Sequence, residues 1–453
     1  MRRAYNSKFG PWPLRLIETL GAIAFALAMV GGIAKAATRL VPQDELKRVG
    51  LTRAWFGQVQ LDRARHRLDR AMLQGDRLTV LTSAGVVQDF NALTGAVYWT
   101  APIGNDTYPS LGPACNDKYV AVMNGSTLYI LDRTDGRPVN IRRTGSAPGS
   151  GPVLSEKYVF VPQVNGRIEG YSITDNKKLT PWYYQSSGRT MVTPLATPQS
   201  VVWTTETGNL YVGNSEEPGM RFRMETKSEI LAPPSYRKPL IFVASAAGEV
   251  FALQEMTGVR QWKYATGFPV SRSVAAVGDR AFVTSEEPAM HCIDIKTGAA
   301  LWQAPHVMQF AAASKTRVYG VDDLGGLVVL DAEKGSIVGR IATDHPIHSL
   351  VNDQTDRVYL ISRDGMVECL RETDSKEPLY HNPKETEKDK KADKDKKADA
   401  TPPAPPKAAA EKPKSVKSDK DAAEQGDDKP VEKKPDQPAG NFGVKDAENP
   451  FGN

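Results

Sequence analysis

The sequence predicts an all-β protein built as an eight-bladed β-propeller. Three observations carry that prediction. A turn motif recurs about every 40 residues along the middle of the chain. In three of its copies a tryptophan stands four residues after the turn glycine: Trp99 after Gly95, Trp262 after Gly258, and Trp302 after Gly298. Each copy also follows two short runs rich in β-branched and aromatic residues, split by Gly, Asn, Asp or Ser.

The motif is clearest from Met290 to Trp302. Cys292 and Ile293 lead as a strand into Asp294, Thr297-Gly298 turns the chain, and Leu301-Trp302 starts the return. Asp suits such a turn because it bonds its own backbone, and Gly because it accepts positive φ. Further copies end at Gly95, Gly136, Gly258 and Gly335, with weaker ones at Asn176, Pro218 and Ser375. The eight turns are spaced by 41, 40, 42, 40, 40, 37 and 40 residues. Eight turns mean eight blades, because one small sheet cannot bury both faces and a ring of them can.

The paired runs follow in order. They are Leu78 to Leu81 with Val86 to Phe90, Tyr119 to Val122 with Leu128 to Leu131, and Tyr158 to Val161 with Ile168 to Tyr171. Next come Val201 to Thr204 with Leu210 to Val212, and Leu240 to Ala244 with Val250 to Leu253. The last three are Arg280 to Thr284 with Met290 to Ile293, Val318 to Val321 with Leu327 to Leu330, and Val358 to Ile361 with Met366 to Leu370. Asn124-Gly125, Asn165-Gly166 and Asp364-Gly365 read as hairpin turns.

The unit of strand, Asp-Xaa-Xaa-Thr-Gly, three residues and Trp resembles the repeat of the quinoprotein (PQQ-like) propellers. The resemblance covers roughly residues 50–380. It implies that Trp99, Trp262 and Trp302 dock between blades. It makes Gly95, Gly136, Gly258, Gly298 and Gly335 the turns that shape the ring. Within the family, an eight-bladed ring without other domains resembles outer-membrane assembly factors of the BamB type. That implies envelope proteins as partners, either outer-membrane assembly machinery or its clients.

The flanks read differently. Arg2, Arg3, Lys8 and Arg15 precede an apolar run from Leu20 to Ala34. Ala34-Lys35-Ala36 places small residues where a signal peptidase cuts. Residues 1–37 therefore read as a signal peptide or, extended over 14–34, as a retained membrane anchor. The positive flank predicts export to the periplasm or cell envelope. No cysteine follows the run, so a lipid anchor point is missing and the resemblance departs there from its usual pattern. Residues 38–64 form a charged entry segment. Ala54 to Leu61 has strand character, expected to join the last blade and seal the ring. The alternative is a loop held on one face by Trp55 and Phe56. The propeller then spans 65–382. From 383 to 453 the chain holds 16 Lys and 16 Asp plus Glu, and aromatic and β-branched residues almost vanish. Such a tail buries too little to offset its chain entropy and is expected to be disordered. Its Asn449-Pro450-Phe451 end reads either as chance or as a short docking peptide.

The composition narrows the chemistry. A formal charge of +5 without a basic, aromatic-laced stripe does not point to nucleic acid. Cys115, Cys292 and Cys369 are scattered over three blades and read as buried free thiols. The quinoprotein enzymes resemble one another in an adjacent Cys–Cys pair and an acidic cation site. This sequence has no such cysteine pair. No catalytic, cofactor-binding or metal-binding residue is therefore assigned, no cofactor or small-molecule substrate is expected, and a PQQ-dependent dehydrogenase is the minor alternative. His345 and His348 are close in sequence but would need a third ligand from another blade to hold a metal. Glu216-Glu217 and Glu286-Glu287 read as solvent-facing pairs at equivalent blade positions. The expected function is a non-catalytic scaffold for protein–protein interaction, with a structural envelope or cell-surface role as a further alternative. The irregular third and fourth blades are where a binding surface is expected.

Overall fold

A computed structural model describes residues 40–175, 181–342 and 348–381. The chain divides into two units, Met1–Lys384 and Glu385–Asn453. The second unit lies outside the described residues, as do the expected anchor at 14–34, the tail from 383, Asn176 and His345.

Eight four-stranded antiparallel sheets form the blades of the propeller. Seven are continuous in sequence: 68–102, 110–143, 153–185, 195–225, 235–265, 275–305 and 307–341. The eighth takes three strands from 348–372 and its outermost strand, Leu51–Gln58, from the start of the described chain. That strand pairs Leu51 with Glu372 and Gln58 with Met366, so the ring is sealed by its two ends. It begins three residues before the run read from the sequence and stops at Gln58. A short helix, Gln43–Arg48, precedes it and buries Leu46 completely.

The middle strands of each blade are buried on both faces and read as continuous apolar runs, such as Leu240–Ala244. The outer strands have a different pattern, two exposed residues and then one buried. Its cause is a β-bulge. In the first blade Phe90 pairs with Val97 and Asp89 with Trp99, which leaves Tyr98 as the extra residue. The same shift puts Val139, Gln261, Leu301 and Val338 out of register in the second, fifth, sixth and seventh blades. The bulge twists the strand and turns the next side chain toward the neighbouring blade.

At four junctions that next side chain is tryptophan. Trp99 Nε1 donates to the Arg133 carbonyl at 2.9 Å, Trp262 Nε1 to Ile295 at 2.8 Å, and Trp302 Nε1 to Ala332 at 2.9 Å. Each accepting carbonyl lies three residues before the turn glycine of the next blade. Trp55, on the sealing strand, does the same to Ala92 at 2.9 Å. A Cβ on Gly95 would stand 2.5 Å from the Trp55 ring, and one on Gly136 or Gly335 would overlap Trp99 or Trp302. The turn glycines are thus fixed twice over, by φ near +75° and by the indole beneath.

The other four junctions are improvised. Asn140 replaces tryptophan in the second blade and reaches the Ile173 carbonyl at 3.3 Å. Tyr184 bridges from the third blade to the Asn214 and Gly219 carbonyls at 3.0 Å each. Phe222 lies under Gly258. In the seventh blade the position is Gly339, and Val49, from the turn after the short helix, fills the space. The last two junctions share a second device, a glutamate three residues before the turn. Glu255 accepts from the hydroxyls of Thr197 and Ser200 of the preceding blade, and also from Tyr236. Glu372 accepts from Ser314 and Tyr319. At these two junctions a carboxylate, buried at Glu255 and half-buried at Glu372, gathers hydroxyl donors across the seam.

Candidate interaction surface

Antiparallel order divides the ring into two faces. One carries the turns with the conserved-spacing glycines, Gly95 to Gly335. The other carries the hairpins between the second and third strands and the connections from blade to blade. The connections are the longer segments and hold the candidate surface.

Four connections repeat one design. Ser150, Thr190, Ile230 and Val270 stand 40 residues apart, and all four are buried. They anchor the connections into successive blade junctions. Beside them, Met191 is 53% exposed, Leu231 37% and Phe268 46%. Thr226 donates to the Gly208 carbonyl at 2.9 Å and to Ser228 at 2.6 Å, and Thr266 to Gly248 at 3.0 Å and to Phe268 at 2.6 Å. The Ser150 hydroxyl donates to the Val192 carbonyl at 2.9 Å. Apolar side chains are therefore presented outward on loops pinned to the ring. Arg189 forks onto Glu206 at 2.9 to 3.1 Å beside Met191, and that contact holds the Glu206 carboxyl below its usual range. Exposed apolar groups on a braced frame, with charges at the rim, are the usual make-up of a protein-docking surface.

A groove of about 610 Å³ opens at the junction where Asn140 replaces tryptophan. It is lined by the outer strand Pro138–Arg143 and by Tyr171, with Val139 and Ile141 exposed on the strand. An exposed strand edge beside such a groove can receive an extended peptide.

The residues singled out in the sequence fall as follows. Trp99, Trp262 and Trp302, with Gly136, Gly298 and Gly335, come together as three inter-blade pairs; Gly95 pairs with Trp55 and Gly258 with Phe222. None lies on the candidate surface. Cys115, Cys292 and Cys369 are buried free thiols, with burial pushing them up to about 11, 12 and 12. The two glutamate pairs are not equivalent. Glu216-Glu217 sits in a turn between third and fourth strands, and Glu286-Glu287 in a hairpin between second and third strands, on opposite faces. Glu-Glu-Pro occurs at both places, but after the third strand of one blade and after the second of the other. Among the described residues no cluster of His, Cys, Asp and Glu could hold a metal, and no helix is long and apolar enough to cross a membrane. Met191, Leu231 and Phe268 were missed. Their signal was the 40-residue spacing of the buried anchors, hidden because two of the anchors are hydroxyl residues and two are aliphatic.

The family model described as outer membrane protein assembly factor BamB matches residues 83–220, 196–309 and 246–367. The chain belongs to this family. Among solved structures, BamB from Moraxella catarrhalis is 18% identical, covers 72% of this chain and 98% of its own, and superposes with a TM-score of 0.58. The computationally designed Ika8 protein is 15% identical over 67% of this chain and 96% of its own, with a TM-score of 0.55. The C-terminal WD40 domain of Sif2 is 11% identical over 70% and 97%, with a TM-score of 0.52. At these identities the likeness is one of fold. A tetrathionate hydrolase of Acidithiobacillus ferrooxidans is 28% identical over 127 residues, 27% of this chain, and the chain spans 25% of that protein's length. Membership in the BamB family supports a propeller that serves as a scaffold for protein–protein interaction.

Proposed function

We propose that this chain is an exported, non-catalytic scaffold of the cell envelope, which supports assembly of outer-membrane proteins by docking an assembly partner or client. The observation that carries the reading is the set of Met191, Leu231 and Phe268, exposed on pinned connections between the third and sixth blades. Family membership supports the partner class. The basic N-terminal flank and the apolar run after it support export.

Crosslinking in cells, followed by capture of the full-length chain, tests the reading. Assembly components or outer-membrane clients are expected in the capture, and M191E with L231E removes them while the ring stays folded. Capture of cell-wall or unrelated envelope proteins alone contradicts it. The non-catalytic part is tested by adding PQQ with calcium to the purified chain. No saturable change in the cofactor's absorption is expected; a stoichiometric complex would return the enzyme reading.

A further inference from the structure

We propose that the same face carries, at the seam between the eighth and first blades, a separate binding site for a phosphorylated ligand. A pocket of about 360 Å³ opens there, between the innermost strand of the first blade, Leu68–Gln74, and the second-to-third hairpin of the eighth. Arg67, Arg70 and Arg363 line it, together with Asp69, Ser349 and Ser362.

The cluster is built into the frame. Leu68 N donates to the Arg363 carbonyl at 2.8 Å, which ties the hairpin to the strand. Ser83 N donates to the Arg67 carbonyl at 2.9 Å, and Arg67 N to Ser83 Oγ at 3.1 Å. The strand then bulges. Leu68 pairs with Thr82 and Arg70 with Leu81, so Asp69 is the extra residue. The bulge leaves Asp69 and Arg70 exposed side by side instead of alternating between two faces.

The charges are only partly compensated from within. Arg67 meets Asp69 only at 3.8 Å. Among the described residues, neither the Arg70 nor the Arg363 guanidinium meets a carboxylate. The nearby acids are engaged locally, Asp62 with Arg65 at 3.9 Å and Asp364 with the Ser362 hydroxyl. Three exposed arginines against the one carboxylate of Asp69, among the described residues, leave an excess of positive charge over the pocket. Three planar donor forks around a space of this size match the oxygens of a phosphate group better than they match a single carboxylate. The ligand chemistry is therefore a terminal phosphate, as in a phosphomonoester or a diphosphate, free or carried on a lipid headgroup. The site stands across the ring from Met191 and Leu231 and does not depend on what docks there.

The test uses the full-length chain and two probes. Inorganic pyrophosphate is titrated by calorimetry, and phosphatidylcholine vesicles with and without phosphatidic acid are used in flotation. Saturable binding of at least one probe is expected, falling with added salt. R70E and R363E should each weaken it by about tenfold or more, and R70Q less, with thermal unfolding unchanged. Binding of pyrophosphate alone assigns a free phosphorylated ligand, and binding of vesicles alone a lipid headgroup. No saturable binding of either probe overturns the proposal, as does binding that R70E and R363E leave intact. Because the readout involves no protein partner, the proposal and the docking surface fail separately.

Discussion

Trp262 of the fifth blade lies beneath Gly298 of the sixth, with its Nε1 donating to the Ile295 carbonyl at 2.8 Å. A Cβ on Gly298 would come within 2.6 Å of the indole. The two residues are one joint. Trp262→Ala opens a large hole in a buried cluster and should cost about 3–5 kcal/mol. Trp302→Ala, at the next joint, should cost about the same. Gly298→Ala meets both the indole and a φ of +75°, and the backbone effect alone costs about 1–2 kcal/mol. Denaturant midpoints of the three variants check this; unchanged midpoints would remove the joint from the account.

The seam between the seventh and eighth blades depends on the N-terminal segment. Val49 occupies the space above Gly339, Arg317 donates to the Val49 carbonyl at 2.6 Å, and Leu46 is buried in the cluster that holds Leu51, Tyr319 and Val329. Leu46→Ala should therefore cost about 2–5 kcal/mol, although the helix is only six residues long. Amide hydrogen exchange should localise the loss to the sealing strand Leu51–Gln58. Uniform loosening of the whole ring would contradict that.

His291 sets a pH dependence. It is buried between the fifth and sixth blades, its Nδ1 meets the Tyr264 hydroxyl at 3.0 Å, and its Nε2 has no hydrogen-bond partner among the described residues. Burial holds its pKa below the ordinary 6.5. The folded state thus favours the neutral ring, and the unfolded chain takes up the proton first as pH falls. Stability from this residue is present above about pH 6.5, falls as pH drops below that value, and levels off below the folded pKa. His381, also lowered by burial, adds to the same slope. Raised carboxyls such as Asp89 and Glu368 act oppositely, losing stability as pH rises above about 4. His291→Gln should flatten the unfolding profile between pH 5 and 7. An unchanged slope would place the titration elsewhere.

The seal made by Glu372 should be costly to break. Glu372→Leu leaves the Ser314 and Tyr319 hydroxyls without their acceptor, at about 1–3 kcal/mol. Glu372→Gln keeps an acceptor and should cost less. A double cycle of Glu372→Leu with Tyr319→Phe should recover part of the loss, because it removes one orphaned donor. Strict additivity would show that the two groups do not act together.

The ring was legible because its period is long and its turns are chemically distinctive. Thr-Gly turns and three tryptophans at fixed spacing marked the first, fifth and sixth blades directly. The junctions were only half legible. Asn140, Tyr184, Phe222 and Gly339 occupy equivalent places with an amide, two aromatic rings and no side chain, so no single residue marks them. Trp55 was open to two readings, because its blade is closed by a strand more than 300 residues away in sequence from its partner. The bulges that aim each docking residue leave only an exposed-exposed-buried signature, which sequence alternation does not reveal. The binding surface expected at the irregular third and fourth blades remains part of the proposal. The groove at Asn140 and the apolar residues Met191 and Leu231 lie on or beside the second to fifth blades.

The central claim, that the connection face docks protein partners, is tested most directly by photo-crosslinking residues placed one at a time in the full-length chain. Met191, Leu231 and Phe268 report on the connection face, and Met256 and Val259, also exposed, lie at or beside a turn on the opposite face. The account predicts discrete adducts with outer-membrane assembly components or clients from the first three positions and none from the other two. Adducts confined to Met256 and Val259, or equal from both faces, would contradict it.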